Sequence, residues 1–273
     1  MKIFITLLFL SALSFAVSAQ TKIVPIIDMK IGGLLGGVQN GKYLNAKSTV
    51  AKLIAEQNYT LFLFDGKNET LKLKKPKNDM DVCDDFFSLE YDEETSEKSS
   101  EKGGVALGEG FGWKPVPRAS KTIDLNNAEY KKIVADYLRA KRITKAETVL
   151  TQAIRVDLDG DGKEEVLLTA TKVIPYDEGK EGEVYDQYSV VLLRKIIRGK
   201  PQTILIAGEF YPRSGGGYDG NVFEISSILD LNGDGKMELV VYSQYYEGGA
   251  TQVFQMLGNA VVEIKLLAVG CGV

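Results

Sequence analysis

Histidine is absent from this chain of 273 residues. Its absence excludes Ser-His-Asp and Cys-His catalysis, histidine-ligated zinc or haem, and the commonest general base near neutral pH. The chain also lacks a dense run of lysine or arginine, and its formal net charge is −4. Because nucleic-acid binding relies on clustered basic residues, the sequence predicts no nucleic-acid partner.

Long apolar runs are absent beyond the first residues. The chain opens with MKIFITLLFLSALSFAVSAQ, in which one lysine precedes an apolar stretch and Val17-Ser18-Ala19 has the small-residue pattern of a signal peptidase site. The apolar stretch is too short for a comfortable span, and no later run approaches the roughly 18 apolar residues that a membrane helix needs. We therefore predict a signal peptide at 1–19, no membrane span, and export to the periplasm or the extracellular space.

Cysteine is scarce, with only Cys83 and Cys271 in the chain. In an exported protein an even count favours a disulfide between them, because the oxidising compartment permits it. The alternative is two buried free thiols. In the loop-entropy description, a bridge that closes so long a loop contributes roughly 5 kcal/mol to stability.

The mature chain divides into three predicted regions. Residues 20–91 form an N-terminal α+β region, residues 92–120 an acidic and glycine-rich linker and loop, and residues 121–273 a helix followed by a duplicated β domain. Residues 79–101 form an acidic stretch with ten acidic residues and one lysine. The linker prediction rests on residues 92–104, DEETSEKSSEKGG, which combine charge, serine and glycine and contain no large apolar residue. A segment of that composition buries too little apolar surface to order itself.

Local patterns predict the elements of the N-terminal region. The stretch IGGLLGGVQNGKYL at 31–44 is rich in glycine and indicates turns rather than a regular element. Apolar residues at helical spacing predict a short helix within 47–57. Alternating residues on both sides of Asp65-Gly66 predict a β-hairpin within 58–76.

Two further features precede the β-rich part. Trp113 is the only tryptophan and lies between glycines and prolines. It is expected to pack against the domain, and the alternative is a platform for a ligand. The clearest helix is predicted at 126–142. The segment has an apolar stripe, basic residues in the last turn, and Asn126 or Asn127 as the N-cap.

The chain beyond Thr148 is predicted to be an internal duplication of four strands. In both copies the first two strands are joined by an acidic loop, and the order of the segments is the same. Repeats of this length are typical of stacked sheets or propeller blades. The first copy comprises TVLTQAIRVD, EVLLTATKVI, YDQYSVVLLRK and TILIAGEF, and the second comprises NVFEISSILD, ELVVYSQYY, TQVFQML and AVVEIKLLAV.

The two acidic loops carry the strongest chemical pattern. The first loop, residues 157–165, reads DLDGDGKEE, and the second loop, residues 230–238, reads DLNGDGKME. Alternate residues of a tightly turned loop can point oxygens at one hard cation, and a glycine at the sixth position permits the turn. Without a cation, clustered carboxylates repel one another. The predicted ligands are Asp157, Asp159, Asp161, the Lys163 carbonyl and Glu165, and Asp230, Asn232, Asp234, the Lys236 carbonyl and Glu238.

Neither loop is a true EF-hand. That loop requires a bidentate glutamate at its twelfth position, where this chain has Leu168 and Val241. The flanking residues are rich in Val, Ile and Leu, which favours strand-loop-strand over helix-loop-helix. An ion-free Asp/Gly turn is the alternative to a metal site.

The stretches VDLDGDGKEEVLL at 156–168 and LDLNGDGKMELVV at 229–241 resemble the FG-GAP or VCBS-type repeats of secreted bacterial proteins, related to the calcium-binding blades of integrin α-subunits. The likeness is looser over 145–270 and does not reach the N-terminal third. It implies Ca²⁺ at the loop positions named above, two structural ions in all. This chain departs from the family in having glutamate at the ninth loop position.

The sequence as a whole predicts a mainly β protein with one clear helix, of the α+β class. A closed propeller needs at least four blades and only two motif-bearing units are present, so the arrangement is blade-like or two open sheets, with a small N-terminal β-hairpin region. The expected function is an exported, non-enzymatic calcium-binding protein that presents a surface to protein or glycan at the cell envelope. The alternative is a secreted carbohydrate-active hydrolase with a structural calcium module. No set of residues is selected as catalytic.

Overall fold

The computed structural model describes residues 22–78, 83, 85–90, 103–145, 147–174, 183–215 and 220–272. The predicted signal peptide, most of the acidic stretch at 79–101 and the connection at 175–182 lie outside the described residues.

Antiparallel strands dominate the described residues, and the predicted mainly β, α+β class is confirmed. The elements in chain order are β1 (Val24–Asp28), β2 (Gly33–Gln39), β3 (Lys42–Asn45), α1 (Ala46–Val50), β4 (Glu56–Phe62), β5 (Asn68–Lys74), β6 (Val105–Gly108), β7 (Lys121–Thr122), α2 (Ala128–Ala140), β8 (Leu150–Val156), β9 (Glu165–Lys172), β10 (Glu183–Ile197), β11 (Lys200–Gly215), β12 (Val222–Leu229), β13 (Glu238–Tyr245), β14 (Gly248–Leu257), β15 (Ala260–Glu263), a 3₁₀ helix (Lys265–Leu267) and β16 (Val269–Gly272).

The N-terminal sheet has six strands in the order β3-β2-β1-β6-β4-β5, so it is larger than the predicted hairpin region. Its β4–β5 pair is the predicted hairpin. The prediction of turns alone at 31–44 is wrong, because β2 and β3 occupy most of that stretch. Its glycines serve close packing: a Cβ at Gly36 would lie 2.3 Å from the Leu44 carbonyl oxygen. Only Asn40 and Gly41, both with positive φ, form the hairpin turn.

Two other N-terminal elements differ from expectation. Helix α1 is capped by the Asn45 side chain, which accepts a hydrogen bond from Ser48 N, and it ends at Val50 instead of extending towards 57. It stops early because Glu56 already pairs with Lys74 in the β4–β5 ladder. Strand β6 lies within the predicted linker and loop 92–120. Its four residues, VALG, are all buried between β1 and β4, which explains why they form a strand.

The part predicted to be duplicated forms two sheets with matching topology. The first repeat sheet has the order β11-β10-β9-β8-β7, and the second repeat sheet has the order β12-β13-β14-β15, with β16 also paired to β14. In each copy four consecutive strands form an antiparallel meander, as the segment order predicts. The acidic loop joins β8 to β9 in the first copy and β12 to β13 in the second.

The three sheets stack in an open arrangement, with the second repeat sheet in the middle. Apolar side chains fill the space on both of its faces. Helix α2, which confirms the predicted helix and its Asn127 cap, packs its Val134 and Leu138 on the far side of the first repeat sheet. The core towards the N-terminal sheet includes Ile26, Leu35, Leu107, Leu231 and Val240, and the core towards the first repeat sheet includes Val156, Leu158, Leu167, Val191 and Leu239.

A disulfide between Cys83 and Cys271 confirms the predicted pairing. The two Cα atoms are 5.5 Å apart and the residues are separated by 188 positions in sequence. The bridge joins Cys83, which packs with Phe86 in the core towards the N-terminal sheet, to the last strand, β16. It therefore ties the N-terminal sheet to the second repeat sheet. Within the described ranges, no helix is long and apolar enough to cross a membrane.

Candidate metal-binding loops

The two acidic loops share one backbone conformation. Each begins where a buried strand ends, and the glycines at the fourth and sixth positions have positive φ, which side chains with a Cβ rarely adopt. The values are 76° and 82° for Gly160 and Gly162, and 82° for both Gly233 and Gly235. The sequence pattern of the two copies therefore corresponds to the same turn.

The first aspartate of each loop holds that turn closed. Asp157 accepts hydrogen bonds from Gly160 N at 2.8 Å and Gly162 N at 3.1 Å, one on each carboxylate oxygen. Asp230 accepts the equivalent bonds from the amides of the two glycines in the second loop, at 2.7 and 2.9 Å. Each aspartate satisfies two backbone donors that the turn leaves without a ladder partner.

The glutamate at the ninth position reaches back across each loop. Glu165 accepts a 2.9 Å hydrogen bond from Leu158 N, and Glu238 accepts a 2.8 Å bond from Leu231 N. Both glutamates are buried, with 2% and 1% of their surface exposed. The longer glutamate side chain bridges to the second loop residue in each copy, so the departure from aspartate at this position has a defined structural role.

The remaining predicted ligands are more exposed and bind local backbone. Asp161 accepts a hydrogen bond from Lys163 N, and Asp234 accepts one from Lys236 N, both at 2.8 Å. Asn232 accepts a 3.0 Å bond from Asp234 N. Asp161 and Asp234 are exposed and Asn232 is half-buried, in contrast to the buried Asp230, Glu165 and Glu238.

In the first loop three carboxylates converge. Oxygens of Asp157, Asp159 and Glu165 all lie within 4.8 Å of one another, close enough to coordinate one ion. In the second loop an amide, Asn232, replaces the middle carboxylate. The corresponding set there is two buried carboxylates and one amide oxygen.

A lysine from the neighbouring strand β10 lies inside the first loop. The Lys195 ammonium donates to Asp159 Oδ2 at 2.8 Å and to Glu165 Oε1 at 2.5 Å, and only 5% of its side chain is exposed. Burial lowers the pKa of Lys195, but its hydrogen bonds to the two carboxylates outweigh this and raise the pKa above 10.5. Burial likewise raises the pKa of Asp159, and Lys195 outweighs it, so that this pKa lies below 3.8.

The second loop has no such partner. Among the described residues, no lysine or arginine forms an ion pair with Asp230, Asp234 or Glu238. Burial raises the pKa of Glu238 to about 8, and the nearby acidic residues add to the shift. The Tyr43 hydroxyl from β3 faces the same carboxylate and is buried without a hydrogen bond of standard geometry.

Register explains the difference between the loops. Arg194 pairs with Val166 in the first copy, which places Lys195 opposite Glu165 at the next position. Phe254 pairs with Leu239 in the second copy, which places Gln255 opposite Glu238. The position that supplies an ammonium to the first loop is therefore a neutral amide in the second.

A strap formed by residues 111–118 crosses both loops. Trp113 donates from Nε1 to the Asp230 carbonyl at 2.8 Å and packs against Gly233, which confirms the expected packing role. The Arg118 guanidinium donates to the carbonyls of Asp157, Leu158 and Gly235. The loops also contact directly through Met237 N and the Leu158 carbonyl, 2.8 Å apart.

A polar groove of about 400 Å³ lies beside the first loop, between α2 and the first repeat sheet. Its lining carries both charges, from Arg155 and Arg194 and from Glu129 and Glu164, and includes the Tyr130 ring. Arg155 donates to the Tyr130 hydroxyl at 3.2 Å. The groove offers hydrogen-bond donors and acceptors to a polar ligand.

Sequence reasoning missed Lys195, Arg118 and Tyr43. A signal for the first was present, since Lys195 follows the apolar run VVLL and Arg194, and ends the segment that the predicted duplication aligns with TQVFQML. The other two come from segments outside the duplication. No protein family, curated protein or solved structure matches the chain.

Proposed function

We propose that this chain is an exported, non-enzymatic calcium-binding protein, in which Ca²⁺ braces strand-loop-strand repeats that present a surface to protein or glycan at the cell envelope. One observation carries the metal part of the proposal. In the second loop Asp230 and Glu238 are 2% and 1% exposed, and no basic side chain among the described residues neutralises them.

Burying an anion without a counter-charge is unfavourable, and two neighbouring anions also repel each other. Backbone amides satisfy hydrogen-bonding capacity but do not supply a full positive charge. A bound cation removes both penalties at once. The residues that would hold it are Asp230, Asn232, Asp234 and Glu238, with the Lys236 carbonyl, as the sequence pattern predicts.

The donor set favours Ca²⁺ over other common cations. All candidate ligands are carboxylate, amide or carbonyl oxygens, whereas zinc and copper prefer the nitrogen and sulfur ligands that this loop lacks. Ca²⁺ accepts about six to eight oxygens in flexible geometry, while Mg²⁺ demands a near-octahedral site. A loop whose oxygens come from four side chains and a turned backbone suits the larger ion.

The disulfide supports the export part of the proposal. Structural disulfides form and persist in oxidising compartments and are rare in reducing ones. Cys83 and Cys271 form such a bridge between two sheets. This is the environment that the predicted signal peptide at 1–19 implies.

The groove beside the first loop supports the binding part of the proposal. Arg155 and Arg194 supply planar hydrogen-bond donors and Tyr130 supplies an aromatic ring with a polar tip, groups that can bind a polar ligand such as a glycan. We expect a glycan array or an envelope pull-down to yield a ligand whose binding falls in Arg155→Ala. A screen with glycan and peptide substrates that detects turnover would overturn the non-enzymatic assignment.

Thermal unfolding with and without Ca²⁺ tests the metal proposal. A site filled at 100 times its dissociation constant stabilises the folded state by about 2.7 kcal/mol. In a chain of this size that corresponds to a rise of roughly 5–10 °C in melting temperature. Affinities of extracellular calcium modules lie around 10⁻⁴ to 10⁻³ M, so the titration should extend to about 10 mM or above.

Controls make the result specific. Mg²⁺ at the same concentration should give a smaller rise, and Asp157→Ala combined with Asp230→Ala should give none. An unchanged melting temperature of the metal-stripped wild type across the titration would refute the proposal.

A further inference from the structure

We propose that Lys195 is the resident cation of the first loop, so that the protein binds one calcium ion, in the second loop, instead of the two that the sequence pattern predicts. The inference rests on the proposed calcium-binding function and adds the rule that decides which loop takes the ion. The rule is that the residue opposite the ninth loop position, in the neighbouring strand, decides whether a loop binds Ca²⁺.

The geometry of the first loop places the ammonium among the predicted calcium ligands. Lys195 Nζ contacts Asp159 and Glu165, the third and ninth loop residues, at 2.8 and 2.5 Å. Oxygens of these two carboxylates and of Asp157 lie within 4.8 Å of one another. An ion coordinated by all three would occupy the space next to the ammonium, and their charges would repel.

Displacing this lysine is unfavourable for physical reasons. Its side chain is 5% exposed, and it extends from a central strand of the first repeat sheet. To admit Ca²⁺, the ammonium would have to leave two short charge-assisted hydrogen bonds in a site shielded from water. The tether also keeps the ammonium at high effective concentration, which a free ion at millimolar levels must overcome.

One acceptor in the first loop is left over. Asp159 Oδ1 is buried and has no hydrogen-bond partner among the described residues. A second calcium ion would need this atom as a ligand. The calcium stoichiometry of loop variants distinguishes an ion in the first loop from the Lys195 ammonium.

Exchange of one residue pair tests the rule. In Lys195→Gln the first loop receives the amide that the second loop has at Gln255, and the calcium stoichiometry should rise from one to two per chain. In Gln255→Lys the second loop receives the ammonium, and its affinity for Ca²⁺ should fall at least tenfold. Equilibrium dialysis of the full mature chain, followed by metal analysis, measures both stoichiometry and affinity.

Matched pairs of loop variants locate the wild-type ion. Asp159→Asn with Asp161→Asn should leave one ion bound, whereas Asn232→Ala with Asp234→Asn should remove it. These variants keep the first aspartate and the ninth glutamate that hold each turn, so they decide the question even if Lys195→Gln does not fold.

The outcomes separate this inference from the function on which it rests. No bound calcium in the wild type overturns both. Two ions in the wild type, or one ion lost on changing the first loop, overturns the role of Lys195 and leaves the calcium function intact. A folded Lys195→Gln that still binds a single ion also overturns it, as does a Gln255→Lys variant with unchanged affinity.

Discussion

The first and second loops are the same turn with different charge partners. Both use an aspartate to bind two glycine amides and a glutamate to bind the second residue of the loop. They differ in the residue that faces the ninth loop position from the adjacent strand, which is Lys195 in the first copy and Gln255 in the second. The comparison shows that the repeated motif defines one backbone shape, whereas the charge that faces the loop depends on a residue from another strand.

The partner strand matters because a strand ladder fixes which residue faces the loop. A one-residue slip in register would turn the lysine to the opposite face of the sheet. The register of β9 and β10 therefore fixes the position of the Lys195 ammonium relative to the loop carboxylates.

The largest effect should come from removing the lysine in the absence of calcium. Lys195→Gln leaves the buried Glu165 without its counter-charge, and loss of one partner of a buried pair costs about 3–5 kcal/mol. Urea unfolding in the presence of a chelator measures the loss. Lys163→Gln removes the same charge from an exposed position in the same loop and should cost about 0–1 kcal/mol. Equal losses of unfolding free energy in the two variants would show that Lys195 is not a stabilising counter-charge of the buried Glu165.

Calcium should act unequally on variants of the two loops. At about 100 times its dissociation constant, it should stabilise Asp159→Asn with Asp161→Asn by about 2.7 kcal/mol, as in the wild type. It should not stabilise Asn232→Ala with Asp234→Asn. Melting curves with and without Ca²⁺ provide the measurement. The same rise in both variants would contradict the assignment of the ion to the second loop.

The strap should couple the loops to each other. Arg118 donates to carbonyls in both loops, and its replacement by methionine should cost about 2 kcal/mol, the range for hydrogen bonds from a charged donor. It should also weaken calcium binding, because the Gly235 carbonyl loses its partner. Lys114→Met changes an exposed residue of the same strap and serves as the control. If Arg118→Met and Lys114→Met have the same free energy of unfolding and the same affinity for Ca²⁺, the strap does not couple the loops.

The smallest effect should be a difference in pH dependence between the loops in the metal-free protein. The lowered pKa of Asp159 contributes stability that is present above pH 3.8 and lost as the pH falls through its folded value. The raised pKa of Glu238 contributes stability that is present below pH 4.5 and lost as the pH rises through about 8.

Unfolding measured against pH in the presence of a chelator checks these signs. Glu238→Gln should remove the decline in the free energy of unfolding between about pH 4.5 and 8. Asp159→Asn should weaken the loss of stability at acidic pH. If the free energy of unfolding declines over this pH range in Glu238→Gln as it does in the wild type, the raised pKa of Glu238 is refuted.

Much of the fold was accessible from the sequence because it depends on local patterns. The capping asparagine and apolar stripe identify helix α2, and alternation around Asp65-Gly66 identifies the β4–β5 hairpin. The repeated order of segments gives the two meanders. The even cysteine count favours the disulfide.

The errors came where tertiary packing overrides local preference. The glycines at 31–44 indicate turns by propensity, yet in β2 they allow strands and the 3₁₀ helix to approach closely. The VALG segment of β6 is too short to identify beside the acidic stretch. In the candidate site the loop residues proposed as ligands follow from spacing alone, whereas Lys195 lies 30 positions beyond Glu165 and meets it only through register.

A crystal structure of the mature protein grown in millimolar Ca²⁺, with an anomalous difference map, would show directly which loop holds the ion. We expect one calcium peak, in the second loop beside Asp230 and Asn232, with Lys195 still bound between Asp159 and Glu165. A peak in the first loop with Lys195 displaced, or a second loop without a peak, would contradict this expectation.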